Sequence, residues 1–355
     1  MPLKRVLLVY SSKPPITEYM ERAFRKKGIE ADHVHADVNS WFDKYVIHNV
    51  NKTAHNLRIL PKGRDLFKEH PLAHLHYRGT RLAEKIKEYS PDLILLIRGI
   101  RFTEDVLKYA RENAALFGWW IEKEERMAEA FKEIHLYDHY FFMNSRCVEA
   151  AEEKGFTNAS ALLHSVDTEA FYKMDCPKKY DWCFVGGWSP KRQLFIERAL
   201  KISKNAAIYG PKWLKKNMLN FTLHKVVKGD YIEGAELVKL YNESKVVLNI
   251  TNWGFGEGDK RSGMNMRVLE VPASGAAMLT DGSIDLKKIV TPGEHVILYE
   301  GINQFGDMLS HYIGNDSERE RLALRGCAHV RTNYTYDNVA DIIIESYNSM
   351  KGLKV

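Results

Sequence analysis

Short apolar runs alternate with amphipathic stretches along this chain. In the first half, RVLLVY, ADHVHAD, DLILLIRG, ALFGWWI, HYFFMNS and SALLHS have the length and composition of strands. Between them, TEYMERAFRKKG, TRLAEKIKEYS and TEDVLKYARENA repeat apolar residues every three or four positions, which lines them up on one helix face. Each ends in a basic turn, a Gly or an X-Pro break, the usual stops. After SVDTEAFYKMDCPKKY the alternation restarts with WCFVGG, NAAIYG, VVLNI, AAMLTD and HVILYE. This pattern predicts an α/β protein of β-α-β units with parallel sheets, repeated as two similar domains. The boundaries fall at residues 1–170 and 171–336, with a linker around 166–180. A last helix over 337–355, DNVADIIIESYNSM at its heart, returns to the first domain across a hinge.

Composition agrees with two folded domains: 355 residues, 45% hydrophobic and 28% charged, can bury a substantial core. The apolar run in MPLKRVLLVYSS is too short for a signal-peptide core or a spanning helix, so the chain reads as cytoplasmic. Cys147, Cys176, Cys183 and Cys327 form no C-x-x-C pair and no zinc-type grouping, and read as reduced structural thiols. A net charge of +6 permits an anionic partner, either a phosphorylated small molecule or nucleic acid, and requires neither.

Parallel sheets bind ligands beyond the carboxyl ends of their strands, so the loops after strands hold the candidate chemistry. In FVGGWSPKRQLFIERAL, Gly186 and Gly187 allow close backbone approach while Lys191 or Arg192 adds a cation, a candidate diphosphate cradle. The same letters also suit a tight turn with Ser189 as N-cap and Pro190 at the first helical position. GFGEGDKRSG departs from a dinucleotide fingerprint and reads as a loop that closes over a ligand or as a plain surface loop.

In SGMNMRVLEVPASGAAMLTD, Asn265 as the cap places Arg267 and Glu270 in the first turns of a helix. A carboxylate there can accept hydrogen bonds from two ribose hydroxyls, and a guanidinium can face phosphate oxygens. The alternative is a helix end in which Glu270 complements the dipole and Arg267 is solvated. Tyr209 and Gly210, at a strand end, lie where a nucleotide base would sit. The basic aromatic stretch they open, YGPKWLKKN, suits a lipid-linked or polyanionic acceptor, or a solvated helix face. Trp119 and Trp120 alternate along a strand, so at most one faces a ligand.

LYNESKVVLNI, GMNMRVLEVPASGAAMLTD, PGEHVILYEGINQFGDMLSHYI and ERERLALRGCAHVRTNYTYDNVADIIIESY together resemble the C-terminal half of the CgeB-like spore-maturation glycosyltransferases of the GT-B superfamily. The resemblance extends back through FVGGWSPKR, IYGPKW and LLHSVDTEAFY, and more faintly through SPDLILLIRG, FGWWIEKEE and LYDHYFFMNSRCVEAAEEKG. It implies a GT-B architecture, two Rossmann-like doubly wound domains facing an interdomain cleft. The implied activity is Leloir glycosyl transfer, with a nucleotide-diphosphate sugar, UDP-sugar favoured, bound by the second domain. The acceptor would be a glycan, protein, lipid-linked or other biopolymer hydroxyl, modified DNA included.

By position, Glu270 is similar to the family's ribose-binding acid. Eight residues earlier, where many retaining members carry a second glutamate, stands Ser262, which leaves the stereochemical course open. Glu257 or Asp259 in the preceding loop is the substitute carboxylate. No D-x-D tripeptide is present, and cations suffice to neutralise a leaving diphosphate, so the expectation is a metal-free and cofactor-free reaction. For an inverting route the candidate bases are His76, Asp37 and Glu122. A non-catalytic GT-B-like binding protein and a nucleotide-sugar epimerase are the competing readings.

Overall fold

A computed structural model describes residues 2–11, 15–61, 63–98, 102–252 and 260–353. It divides into two units, Met1–Leu163 with Val339–Val355, and His164–Asn338.

In the first unit, strands β1 (Arg5–Tyr10), β2 (Glu30–His35), β3 (Leu93–Arg98), β4 (Ala115–Trp120), β5 (His139–Phe142) and β6 (Ala159–Ala161) form one sheet, in the order β2-β1-β3-β4-β5-β6. Every pairing is parallel. Val6, Leu7, Leu8 and Val9 are all buried, as a strand covered on both faces requires. The same burial accounts for the two tryptophans of β4. Trp119 and Trp120 point to opposite faces and both are buried, Trp119 donating its indole N–H to the Leu162 carbonyl at 2.9 Å. Neither offers a face for stacking on a sugar, within the expectation that at most one would. The stretch 38–61, where no element is predicted, contains a π-helical turn, Asp43–Ile47, running into the helix His48–Asn56.

The second unit repeats the scheme. Strands β7 (Tyr180–Val185), β8 (Ala206–Tyr209), β9 (Val227–Gly229), β10 (Ser244–Asn249), β11 (Ala277–Asp281) and β12 (Ile297–Tyr299) are arranged β12-β11-β10-β7-β8-β9, again all parallel. The chain lays down β7 to β9 in one direction and returns to the other side of β7 for β10, so the order reverses between β7 and β10. That reversal opens the crevice in which doubly wound sheets bind ligands. Trp182, Phe184, Phe195, Trp213, Leu248, Leu279 and Phe305 fill the core beneath it. Each such side chain removed from water contributes about 1.5–3 kcal/mol. The strand β9 escapes the sequence pattern because its three residues bury only Val227. The expected linker lies against this unit: Asn242 accepts from the Met174 amide at 2.8 Å, and Lys178 donates to the Asn242 carbonyl at 2.7 Å.

Two six-stranded parallel sheets with flanking helices make two Rossmann-like domains. All four cysteines are free thiols.

Candidate active site

The ends of β7 and β10 define the site, and one side chain ties them together. Arg192, in the helix Pro190–Ile202, donates its Nε to the Ile250 carbonyl at 2.9 Å and one Nη to the Gly187 carbonyl at 2.9 Å. Its guanidinium lies over the Phe184 ring, 5.4 Å from the centroid. Burial, with the like charge of Arg267 second, brings its pKa down to about 10. Arg192 therefore acts as an internal strut across the switch point.

The glycines serve the same closeness. The Gly186 amide donates to the Tyr209 carbonyl at 2.7 Å and the Trp188 amide to the Pro211 carbonyl at 3.0 Å. A Cβ on Gly210, whose φ is 154°, would lie 2.0 Å from the Gly186 carbonyl oxygen. One on Gly187 would meet Pro211 at 3.3 Å. At the expected cradle two backbone turns thus pack against each other, and the Gly186 and Trp188 amides are already paired. Ser189 caps the helix through the Arg192 amide at 3.3 Å, with Pro190 at its start, which is the tight-turn alternative. Tyr209 is half-buried beside Gly229.

Lys191 takes a different direction from Arg192. Its ammonium pairs with Asp281 at 2.9 Å and lies 3.4 Å from the Thr251 hydroxyl, while Asp281 also accepts from the Thr251 amide and hydroxyl. A cation is therefore held at the ends of β10 and β11.

The helix Arg267–Ala273 enters beside it. Asn265 is not its cap: Met266 holds that position, and the Asn265 side chain donates to Asn249 Oδ1 at 3.1 Å. Arg267 donates one Nη to the same oxygen at 2.7 Å, and Asn249 in turn donates to Thr280 at 2.9 Å. Among the described residues the other Arg267 N–H groups have no hydrogen-bond partner, and the buried Asn265 Oδ1 accepts none. A buried acceptor left open costs about 1–3 kcal/mol, so a ligand donor there is rewarded. Asn249, Thr251 and Asp281 were missed by the sequence reading; polar residues closing the apolar strands VVLNI and AAMLTD are the signal that marks them.

Glu270 lies one turn on. Burial pushes its carboxyl up to about 7, against the opposing pull of the Arg267 charge. Among the described residues it has no hydrogen-bond or ion-pair partner of its own. A carboxylate kept half-buried and unpaired beside a guanidinium with open donors suits a neutral diol next to an anion. Ser262 is buried, in a segment fixed by Gly263, whose amide donates to Asp285 at 2.6 Å and whose carbonyl accepts from Ser283 at 2.7 Å. Glu257 and Asp259 lie outside the described residues.

In the first unit, Asp37 and Glu122 both follow strand ends. Asp37 accepts from the Ser11 hydroxyl at 2.7 Å, and Glu122 pairs with Arg126 at 2.8 Å. Both charges raise Tyr10, at the end of β1, to about 12, although burial is the larger cause. His76 is apart from them in sequence, half-buried in the helix His74–Tyr89 and 3.3 Å from Glu69. Among the described residues one group has metal-ligand spacing, Glu21, Asp32 and His33, but Lys85 pairs with Asp32 at 2.8 Å and Glu21 with Arg25 at 3.2 Å.

A protein family described as glycosyl transferase-like matches residues 191–345, the stretch that carries Lys191 to Glu270. The spore protein CgeB of Bacillus subtilis (strain 168) is 23% identical over 267 residues, covering 72% of this chain and 82% of its own. The chain is thus similar to CgeB over most of its length, and its second unit to a glycosyl transferase-like family. The fold agrees. A glycosyltransferase from Rickettsia africae superposes with a TM-score of 0.67 at 11% identity, over 99% of each chain. HepE from Anabaena, solved with UDP-glucose, gives 0.64 at 12% identity, over 97% of this chain and 99% of its own.

Proposed function

We propose that this glycosyltransferase moves a sugar from UDP-sugar to an acceptor hydroxyl without a metal ion. The observation that carries the reading is the pairing of an unpartnered, half-buried Glu270 with an Arg267 whose guanidinium is held by Asn249 at 2.7 Å and still has open donors. In this reading the Glu270 carboxylate accepts the two ribose hydroxyls, and Arg267 and Lys191 face the diphosphate. HepE, of like fold, has been solved with UDP-glucose, which supports the choice of nucleotide.

In the transfer, the bond from sugar C1 to the diphosphate oxygen breaks as the bond from C1 to the acceptor oxygen forms. The acceptor proton passes to a base, for which Asp37 and Glu122 are the candidates at the strand ends of the first unit. Negative charge grows on the leaving diphosphate. Two cations already oriented by Asn249 and Asp281 stabilise it without reorganising, the largest single effect open to such a site.

The test is nucleotide release. The purified chain, treated with chelator and given UDP-glucose and related donors, is expected to release UDP slowly alone and faster with an acceptor. Glu270→Ala is expected to lose both UDP binding and release. Undiminished turnover in that variant overturns the assignment of Glu270, and release that requires added divalent metal overturns the metal-free reading.

A further inference from the structure

Between Glu197 and Asp230 the chain contains no acidic residue, and within that window three large apolar side chains stand in water. Met218, Leu219 and Phe221 are 73%, 89% and 77% exposed. They lie between two short helices, Trp213–Lys216 and Phe221–Val226, around a hollow of about 700 Å³ lined by residues 215–222.

This stretch is ordered by its own contacts. Trp213 is buried and donates its indole N–H to the Gly186 carbonyl at 2.8 Å, while Leu223 and Val226 anchor the far side in the core. In the tip, Asn217 donates to the Trp213 carbonyl at 3.0 Å, and Asn220 caps the second helix through the Leu223 amide at 3.2 Å. The fold thus fixes the backbone of a projecting turn and leaves its apolar side chains outward. Lys212, Lys215, Lys216, Lys225 and Lys228 on the same stretch are all exposed.

We infer that this turn is a docking surface for a bilayer rich in anionic lipid, with Met218, Leu219 and Phe221 entering the acyl boundary and the lysines meeting the headgroups. Apolar insertion and a polybasic rim are separately weak, and together give stable peripheral binding. Charge selects this occupant. A second copy of the chain would bring lysines against lysines, whereas an anionic surface complements all of them at once. The exposed apolar residues Trp41, Leu57 and Ile59 of the first unit lie in a segment that mixes its basic residues with Asp65 and Glu69, whereas the turn here has no acidic residue in its window. Among the described residues no helix is long and apolar enough to cross a membrane, so contact of this kind is made from the surface. The inference does not depend on the sugar donor.

Co-sedimentation of the full chain with vesicles tests it. Binding is expected to vesicles of phosphatidylcholine containing phosphatidylglycerol, weak binding to phosphatidylcholine alone, and release as salt rises. The double variant Leu219→Asp, Phe221→Asp, and separately Lys215→Glu with Lys216→Glu, is expected to lower the affinity at least about tenfold. UDP binding in both variants reports that they are folded. Failure of the wild-type chain to bind anionic vesicles, or equal binding by the variants, overturns the proposal. So does a concentration-dependent dimer that the first variant abolishes while vesicle binding is absent, which would make the turn a self-interface.

Discussion

Arg267 donates to Asn249 Oδ1 at 2.7 Å, so a cation on a helix is aimed by an amide at the end of a strand. The same oxygen takes the Asn265 amide at 3.1 Å, and Asn249 is itself held by Thr280. The direction of the guanidinium is therefore set from the sheet, before any ligand arrives.

Asn249→Ala removes that aim without touching the charge. UDP affinity is expected to fall about ten- to a hundredfold, with a stability loss of about 1–3 kcal/mol from the groups left unpaired. Calorimetric titration beside thermal unfolding separates the two effects. A stability loss with unchanged affinity would show Asn249 to be structural only.

With Glu270 as the proposed ribose contact, UDP binding is expected to depend on pH. With its carboxyl at about 7, the site is half protonated near neutrality, and a carboxylate that must accept two hydroxyls has to lose that proton. UDP affinity is expected to rise from pH 6 to pH 8 with release of a proton, read by titration in buffers of different ionisation heat. Glu270→Gln abolishes the proton release.

The same group sets a stability slope. Its pKa is above the ordinary value of 4.5, so the folded state holds the proton longer than the unfolded one. Stability then falls as pH rises from 4.5 through about 7, by on the order of 2–3 kcal/mol, and Glu270→Gln flattens that part of the profile. Chemical denaturation across this range, wild type against variant, checks the sign. A difference that grows in the wild type's favour with pH would contradict it.

Gly210→Ala places a Cβ 2.0 Å from the Gly186 carbonyl oxygen, backbone against backbone. A loss of about 3 kcal/mol or more is expected, with nucleotide affinity failing in the same variant because the switch-point turns are forced apart. An unchanged melting temperature would mean the two turns are not coupled.

Arg192→Met leaves the Ile250 and Gly187 carbonyls without their donor, and an expected cost of about 2–4 kcal/mol follows from two unmade bonds to a charged group. Binding of UDP to the folded fraction is expected to keep its salt dependence, since Arg192 faces carbonyls and not phosphate. A weakened salt dependence would restore Arg192 as a ligand contact.

Much of the fold was legible because strands buried on both faces read as unbroken apolar runs, as in DLILLIRG and VVLNI. Short edge strands do not, and β9, with one buried side chain, has no pattern to read. At the site, Glu270 and Arg267 stood out as charges opening an apolar helix. Their supports did not: Asn249 and Asp281 come from strands separated from them in sequence, and only the sheet brings them together. The Gly186–Gly187 pair reads two ways for a related reason. A turn that approaches another turn needs the same residues as one that approaches a phosphate, and the close approach of Gly210 is not visible in the sequence.

The first unit is made from both ends of the chain, since residues 339–355 belong to it and bury Val339, Ala340, Ile343 and Tyr347, with Lys27 paired to Asp341 at 2.6 Å. On a ribosome the second unit is therefore complete before the first can be. At about 5–20 residues per second, the first unit waits on the order of ten seconds or longer for its last helical segment, exposed to chaperones and proteases while the second unit is already folded.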